Sequence, residues 1–315
     1  MNNLLRLVGR RLIALPLMII GVTFLVFLLM SLSPIDPAYS ALGENASQTQ
    51  LDAYRAEQGL DQPFFLRFGA YLLGVITGDL GTYGQNNAPV ADKVFSALPV
   101  TIELTLMGLL IAVLLAFPLG VLAALYRDKW VDQFIRLISV VCIAMPSFWL
   151  AILLVLFFIG SLPVAGPLPA FSDNPSGWFL RMILPAFALA VPVVGQMTRV
   201  VRTSMVEELD RDYVRTALGA GIPKSVVVSR NVLRNALITP VTVLGLRVGY
   251  LMGGAVVIEI IFSLPGMGRV LIDGITNNWV TVVQGATLMV AIAFIVVNIV
   301  VDLLYIAINP RIRAV

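Results

Sequence analysis

The stretch LIALPLMIIGVTFLVFLLMSL, residues 12–32, carries no charged side chain. A helix rises 1.5 Å per residue, so this run is long enough to cross a hydrocarbon layer about 30 Å thick. Arg6, Arg10 and Arg11 precede it and Ser33-Pro34 follows. A cleaved leader would have an apolar core of about 7–15 residues and a small-residue cleavage site. This run is longer and lacks such a site, so it reads as a retained first span.

Composition extends that reading to the whole chain. Of 315 residues, 59% are hydrophobic and 12% are charged, and mean hydropathy is +0.93. Soluble domains average about 45–50% apolar and about 25% charged residues. A chain this apolar is solvated by lipid, and the class is all-α, a polytopic membrane protein. Net charge is +3, but the Lys and Arg residues form no single basic face, which argues against nucleic acid as a partner. His is absent, which removes the commonest metal ligand and the usual proton carrier near neutral pH. Cys142 is the single cysteine, so no intrachain disulfide forms and thiol–imidazole catalysis is excluded.

Further apolar runs lie at 104–126, 137–162, 182–198, 235–262 and 279–308, giving six expected spans. Pro146, Pro185 and Pro192 fall inside them, either bending helices around a pathway or serving plain packing. Residues 1–11 form a tail, 12–32 the first span, and 33–98 a polar outer region. Residues 99–315 form the core with the other five spans. Within the outer region, 51–71 mixes apolar and charged residues as short helices do, and 78–84 reads as a turn. Residues 263–279, with Pro265, Gly266 and Gly268, read as turn-rich.

Basic residues set the orientation. The N-terminal side holds Arg6, Arg10 and Arg11, the loop Arg127 and Lys129, the 199–234 segment, and Arg311 and Arg313. The opposite side keeps Arg55, Arg67, Lys93, Arg181 and Arg269. Both termini are therefore expected in the cytoplasm.

The segment 203–238 is the densest in charge. Val206, Leu209, Tyr213 and Ala217 fall on one helical stripe, Gly221 suits a helix stop, and Pro223 suits the first turn of a second helix. Helix, break and helix make a compact knob fit for a partner's groove; a solvated loop is the plainer alternative. Gly219–Ser225 is not a phosphate loop, because Pro223 stands where Gly must precede Lys224.

Arg215-Thr216-Ala217, Gly221 and Arg234-Asn235-Ala236-Leu237 resemble the coupling-loop signature of ATP-binding cassette importer permeases. Asp212-Tyr213-Val214-Arg215-Thr216-Ala217 is similar to the dipeptide/oligopeptide/nickel permease family, as are Gly78-Asp79-Leu80-Gly81, Met145-Pro146-Ser147-Phe148-Trp149 and EIIFSLPGMG at 259–268. Leu218 and Ala220 depart from basic residues usual in the family, and Pro240 falls one position late. The chain resembles the first permease subunit, with its long outer loop after the first span.

The resemblance implies a type I importer architecture in a bacterial inner membrane. It implies a second homologous permease subunit, two ATPase subunits and an extracytoplasmic substrate-binding protein as partners. The cargo would be peptides or a similar small solute, moved by alternating access. No cofactor would be bound by this chain; ATP and Mg would be used by the ATPases, so the chain itself would not be an enzyme. It places Thr216, Ala217 and Gly221 at the coupling positions; Tyr213 and Arg215 are the candidate ATPase contacts, and Asp212 completes the coupling set. An autonomous secondary transporter or channel is the rival, and would favour repeats or charged spans.

Charges and glycines in the fifth span are the remaining candidates. Gly245, Gly249 and Gly253 form a small-residue ridge, for packing within this chain, or for contact with the second permease subunit or along the pathway. Arg247 and Glu259 lie twelve positions apart, roughly 18 Å along a helix, and line a pathway or serve structure.

Overall fold

The computed structural model describes residues 2–33, 36–43, 46–57, 59–84 and 86–308, with side chains at 2–15, 40, 41, 57 and 301–308 left aside. Arg6, Arg10, Arg11, Asp302, Arg311 and Arg313 therefore lie outside the described side chains. Two compact units share the chain: residues 1–102 with 264–297, and residues 103–263 with 298–315.

In the first unit, α1 (Asn2–Ser31) is helical from well before residue 12. The outer region then forms α2 (Pro37–Leu42), α3 (Gln48–Glu57) and α4 (Phe64–Thr77). Local chemistry explains the first two starts. Asp36 caps α2 by accepting from Ala38 N–H at 2.9 Å, with Pro37 in the first turn. Ser47 and Gln50 exchange hydrogen bonds ahead of α3 as a capping box. Phe27 of α1 meets Phe64, Phe68 and Tyr71 of α4, with ring centroids 5.3, 5.6 and 5.5 Å away. A two-strand hairpin pairs β1 (Thr82–Tyr83) with β2 (Ala88–Pro89), Thr82 opposite Pro89.

The segment 263–279 is not merely turns. It contains α13 (Met267–Thr276), which buries Met267, Val270 and Gly274. Those positions repeat as a helix does, but the surrounding Pro and Gly residues hide the period in the sequence. The core here joins Leu80, Val90, Val94 and Ala97 to Met267, Val270, Val282 and Ala286. The last two belong to α14 (Val280–Ile308).

In the second unit, α8 (Pro175–Leu209) is the central helix, packed by α6 (Trp130–Ala144), α7 (Ser147–Phe158) and α12 (Ile238–Ile261). Unlike the expected span 182–198, α8 runs unbroken for 35 residues through Pro185 and Pro192, roughly 52 Å. Its approach to α6 requires Gly195, where a Cβ would stand 2.5 Å from the Ser139 carbonyl oxygen. The second expected span lies in α5 (Val90–Leu125), which starts well before residue 104.

The expected span 137–162 is the largest correction to the helix bounds. It is two helices, α6 and α7, bent by 96°. A proline disfavours helical geometry in the residue before it. Met145 is accordingly extended (φ −82°, ψ 116°), and Pro146 is extended too (ψ 134°), so the helix restarts only at Ser147. Among the described residues, four helices are long and apolar enough to cross a membrane, and the bent pair would make a fifth. The described apolar part of α1, Pro16–Ser31, is shorter.

Candidate functional site

Between α8 and α12 the chain builds the charged knob. It comprises α9 (Asp212–Gly219), α10 (Lys224–Val226), a π-helical turn (Val227–Val232) and α11 (Leu233–Ala236). The single stripe expected over 206–217 is split between two helices. Arg211 is extended (φ −69°, ψ 147°), and α9 restarts at Asp212, whose carboxylate stands in its first turn. Aspartates on both sides of Arg211 favour turn and cap geometry over a helix interior. All four stripe residues still pack on one core, formed by Ala124, Val201, Met205, Val214, Val227, Val232 and Ala236.

The C-terminal end of α9 is sharply defined. Ile222 N–H donates to the Ala217 carbonyl at 3.2 Å and Gly221 N–H to the Leu218 carbonyl at 3.0 Å. This is a Schellman stop. It needs a left-handed residue, and Gly221 supplies φ +82°. Pro223 then stands immediately before α10.

The knob's side chains divide by direction. Tyr213 is half-buried, and its hydroxyl donates to Glu208 Oε2 at 2.8 Å and accepts from Asn235 Nδ2 at 3.5 Å. Burial pushes the Tyr213 phenol above its usual range, and the Asn235 bond opposes that. Ala217 is half-buried; Asp212, Arg215, Thr216 and Gly221 are exposed. Thr216 Oγ1 donates back to the Asp212 carbonyl at 3.1 Å. Leu218, Ile222 and Val226 leave 40%, 40% and 42% of their surface open, which makes the tip apolar. Arg127 Nη1 donates to Asp210 Oδ2 at 2.8 Å beside the helix break.

In α12, Arg247 is half-buried, and its Nε has no hydrogen-bond partner among the described residues. Glu259 is wholly buried. Gly245 and Gly249 are half-buried, whereas Gly253 is exposed and a Cβ there would meet nothing within 4 Å. The ridge is thus unevenly covered within this chain. Among the described residues, no cluster of three His, Cys, Asp or Glu side chains could hold a metal.

Two positioning residues escape the sequence reading. Arg181, placed outside the spans by charge counting, is buried inside α8. It donates to the Val164 and Gly166 carbonyls at 3.0 and 3.3 Å and to the Phe262 carbonyl at the end of α12. Asp132 is wholly buried and accepts two bonds from Arg202, both at 2.6 Å, and one from Asp128 N–H at 3.0 Å. Asp132 stands in no local motif, so only its bidentate partner on α8, Arg202, reveals it.

The family model described as "Binding-protein-dependent transport system inner membrane component" matches residues 116–314. Its N-terminal companion matches residues 4–110. This chain belongs to that family of importer permeases. A putative peptide transport system permease protein of Brucella abortus is 41% identical over 303 residues, covering 95% of this chain and 96% of the relative. A probable D,D-dipeptide transport system permease of Escherichia coli is 37% identical, covering 94% of each. A glutathione transport system permease of Escherichia coli is also 37% identical, covering 98% and 99%. The permease is a multi-pass inner-membrane subunit of an ATP-binding cassette importer.

Proposed function

We propose that this permease imports peptides or a similar small solute, and that its knob is the point where ATPase motion enters. The carrying observation is how the knob is built: a Schellman-terminated α9 shares one core with the end of α8. A push on the apolar tip is then passed to α8 instead of being absorbed by a loop. Exposed Arg215 and Thr216 present contacts to the ATPase, while Asp212, Tyr213, Ala217 and Gly221 hold the shape. The names of the relatives support the cargo class.

In this reading the complex holds a second permease, two ATPase subunits and an extracytoplasmic binding protein. ATP and Mg act on the ATPases, and this chain binds neither. Six spans follow from the apolar runs, and cytoplasmic termini from the basic-residue bias. Arg247, Glu259 and the Gly245, Gly249, Gly253 ridge stand along the pathway or against the second permease. Purifying the tagged permease from its native membrane should recover two copies of an ATPase, and reconstituted uptake should require ATP. Uptake by this chain alone without ATP would overturn the reading in favour of a secondary transporter.

A further inference from the structure

The first unit contains a cavity of about 720 Å³, walled by α1, α3, α4, the turn before β1 and the start of α14. That volume lies within the range of small-molecule sites. Its lining is unusual for an apolar chain, because it brings charges of both signs together: Asp36, Arg55, Asp61, Arg67 and Asp79.

Most of these charges are already engaged. Arg55 binds Asp36 and, at 2.6 Å, Asp52. Asp79 Oδ1 accepts from Gly81 N–H at 2.9 Å. Arg67 is different: its guanidinium sits 5.8 Å from the centre of the Phe27 ring and meets no carboxylate among the described residues. Tyr71 lines the same cavity, and its hydroxyl is buried without a hydrogen-bond partner. Asp61 also reaches the cavity, with no ion pair among the described residues.

Arg67 and Tyr71 are four positions apart on α4, so they stand on one face. A guanidinium and a phenol one turn apart are a donor set for a carboxylate, which the Arg fork binds in two-point fashion. Burial raises the Tyr71 phenol well above its usual range, which keeps the proton available for donation. Leaving a buried hydroxyl unpaired costs free energy, and a bound oxygen would recover it.

We propose that this cavity is a solute site for an amino-acid-type zwitterion, whose carboxylate is held by Arg67 and Tyr71 and whose ammonium faces Asp61. A short peptide with both ends free and a phosphatidylserine headgroup each pair a carboxylate with an ammonium. The biological meaning rests on the importer reading, but binding at the site does not.

The test uses the assembled transporter, without its binding protein, in phosphatidylcholine nanodiscs. Calorimetric titration with alanyl-alanine should show binding, and the C-terminal amide of the same dipeptide should bind about tenfold more weakly. Arg67→Lys keeps the charge and removes the fork, and Tyr71→Phe removes only the hydroxyl; each should weaken alanyl-alanine without lowering the melting temperature. Repeating the titration with phosphatidylserine in the discs separates the sources. Peptide binding that weakens in step with the phosphatidylserine content assigns the site to the lipid headgroup, and unaffected binding assigns it to the solute. Equal binding of acid and amide, or folded variants that bind as the parent does, would overturn the proposal. Neither result would touch ATPase recovery or ATP-dependent uptake, so the importer reading is judged separately.

Discussion

Asp132 shows how much one side chain can hold. Its carboxylate is wholly buried, and both oxygens are taken by Arg202 at 2.6 Å, with Arg136 at 3.6 Å. Arg202 is itself only 18% exposed. Removing one partner of a buried pair strands the other charge, at a cost of about 3–5 kcal/mol. Asp132→Asn should therefore lower the stability of the detergent-purified chain by about that amount, read by thermal or denaturant unfolding. A loss below about 1 kcal/mol, typical of a surface pair, would contradict the burial argument. Mutating Arg202 to Leu together with Asp132 to Leu should recover much of the loss, because a well-packed apolar pair replaces the charges.

At the scale of elements, helix ends carry the information. Gly221 stands at φ +82°, where an L side chain costs about 1–2 kcal/mol. Gly221→Val should leave insertion intact and raise ATPase activity relative to transport in the reconstituted complex, because the knob loses its defined stop. Unchanged coupling between hydrolysis and uptake would remove Gly221 from that role. This stop was legible in the sequence, since Gly followed two positions later by Pro marks a helix end. The break at Pro146 was half legible: the proline was visible, but its consequence depended on Met145 and Pro146 both becoming extended. The split of the 206–217 stripe was hidden for a different reason. Both helices present their apolar side to the same core, so the period survives the break.

For the whole molecule, charge distribution reaches further than any motif. The apolar composition establishes a lipid-solvated helical chain, and the bias of Lys and Arg predicts its direction. In a Cys142→Ser background, Gln62→Cys should react with a membrane-impermeant maleimide added to intact spheroplasts, and Ser225→Cys only after permeabilisation. The reverse pattern would invert the topology. Tertiary pairings were not legible in this way. Nothing local in the sequence ties Asp132 to Arg202, seventy positions away, or Arg181 to the end of α12. The outer cavity was equally hidden, because its walls come from residues near 30, 70 and 280.

The bend between α6 and α7 has a consequence for solvation. Neither arm alone crosses about 30 Å of hydrocarbon, since 15 and 12 residues rise only roughly 22 and 18 Å. If the pair forms one span, its corner lies at membrane depth, with the first amides of α7 lacking a side-chain cap. Lipid tails offer such amides no acceptor, so the corner must face protein or a water-filled cavity. Phe148 and Trp149, about half exposed on this chain, flank it. In that geometry the bilayer alone does not solvate the corner of a lone copy, and protein or trapped water must complete the solvent there.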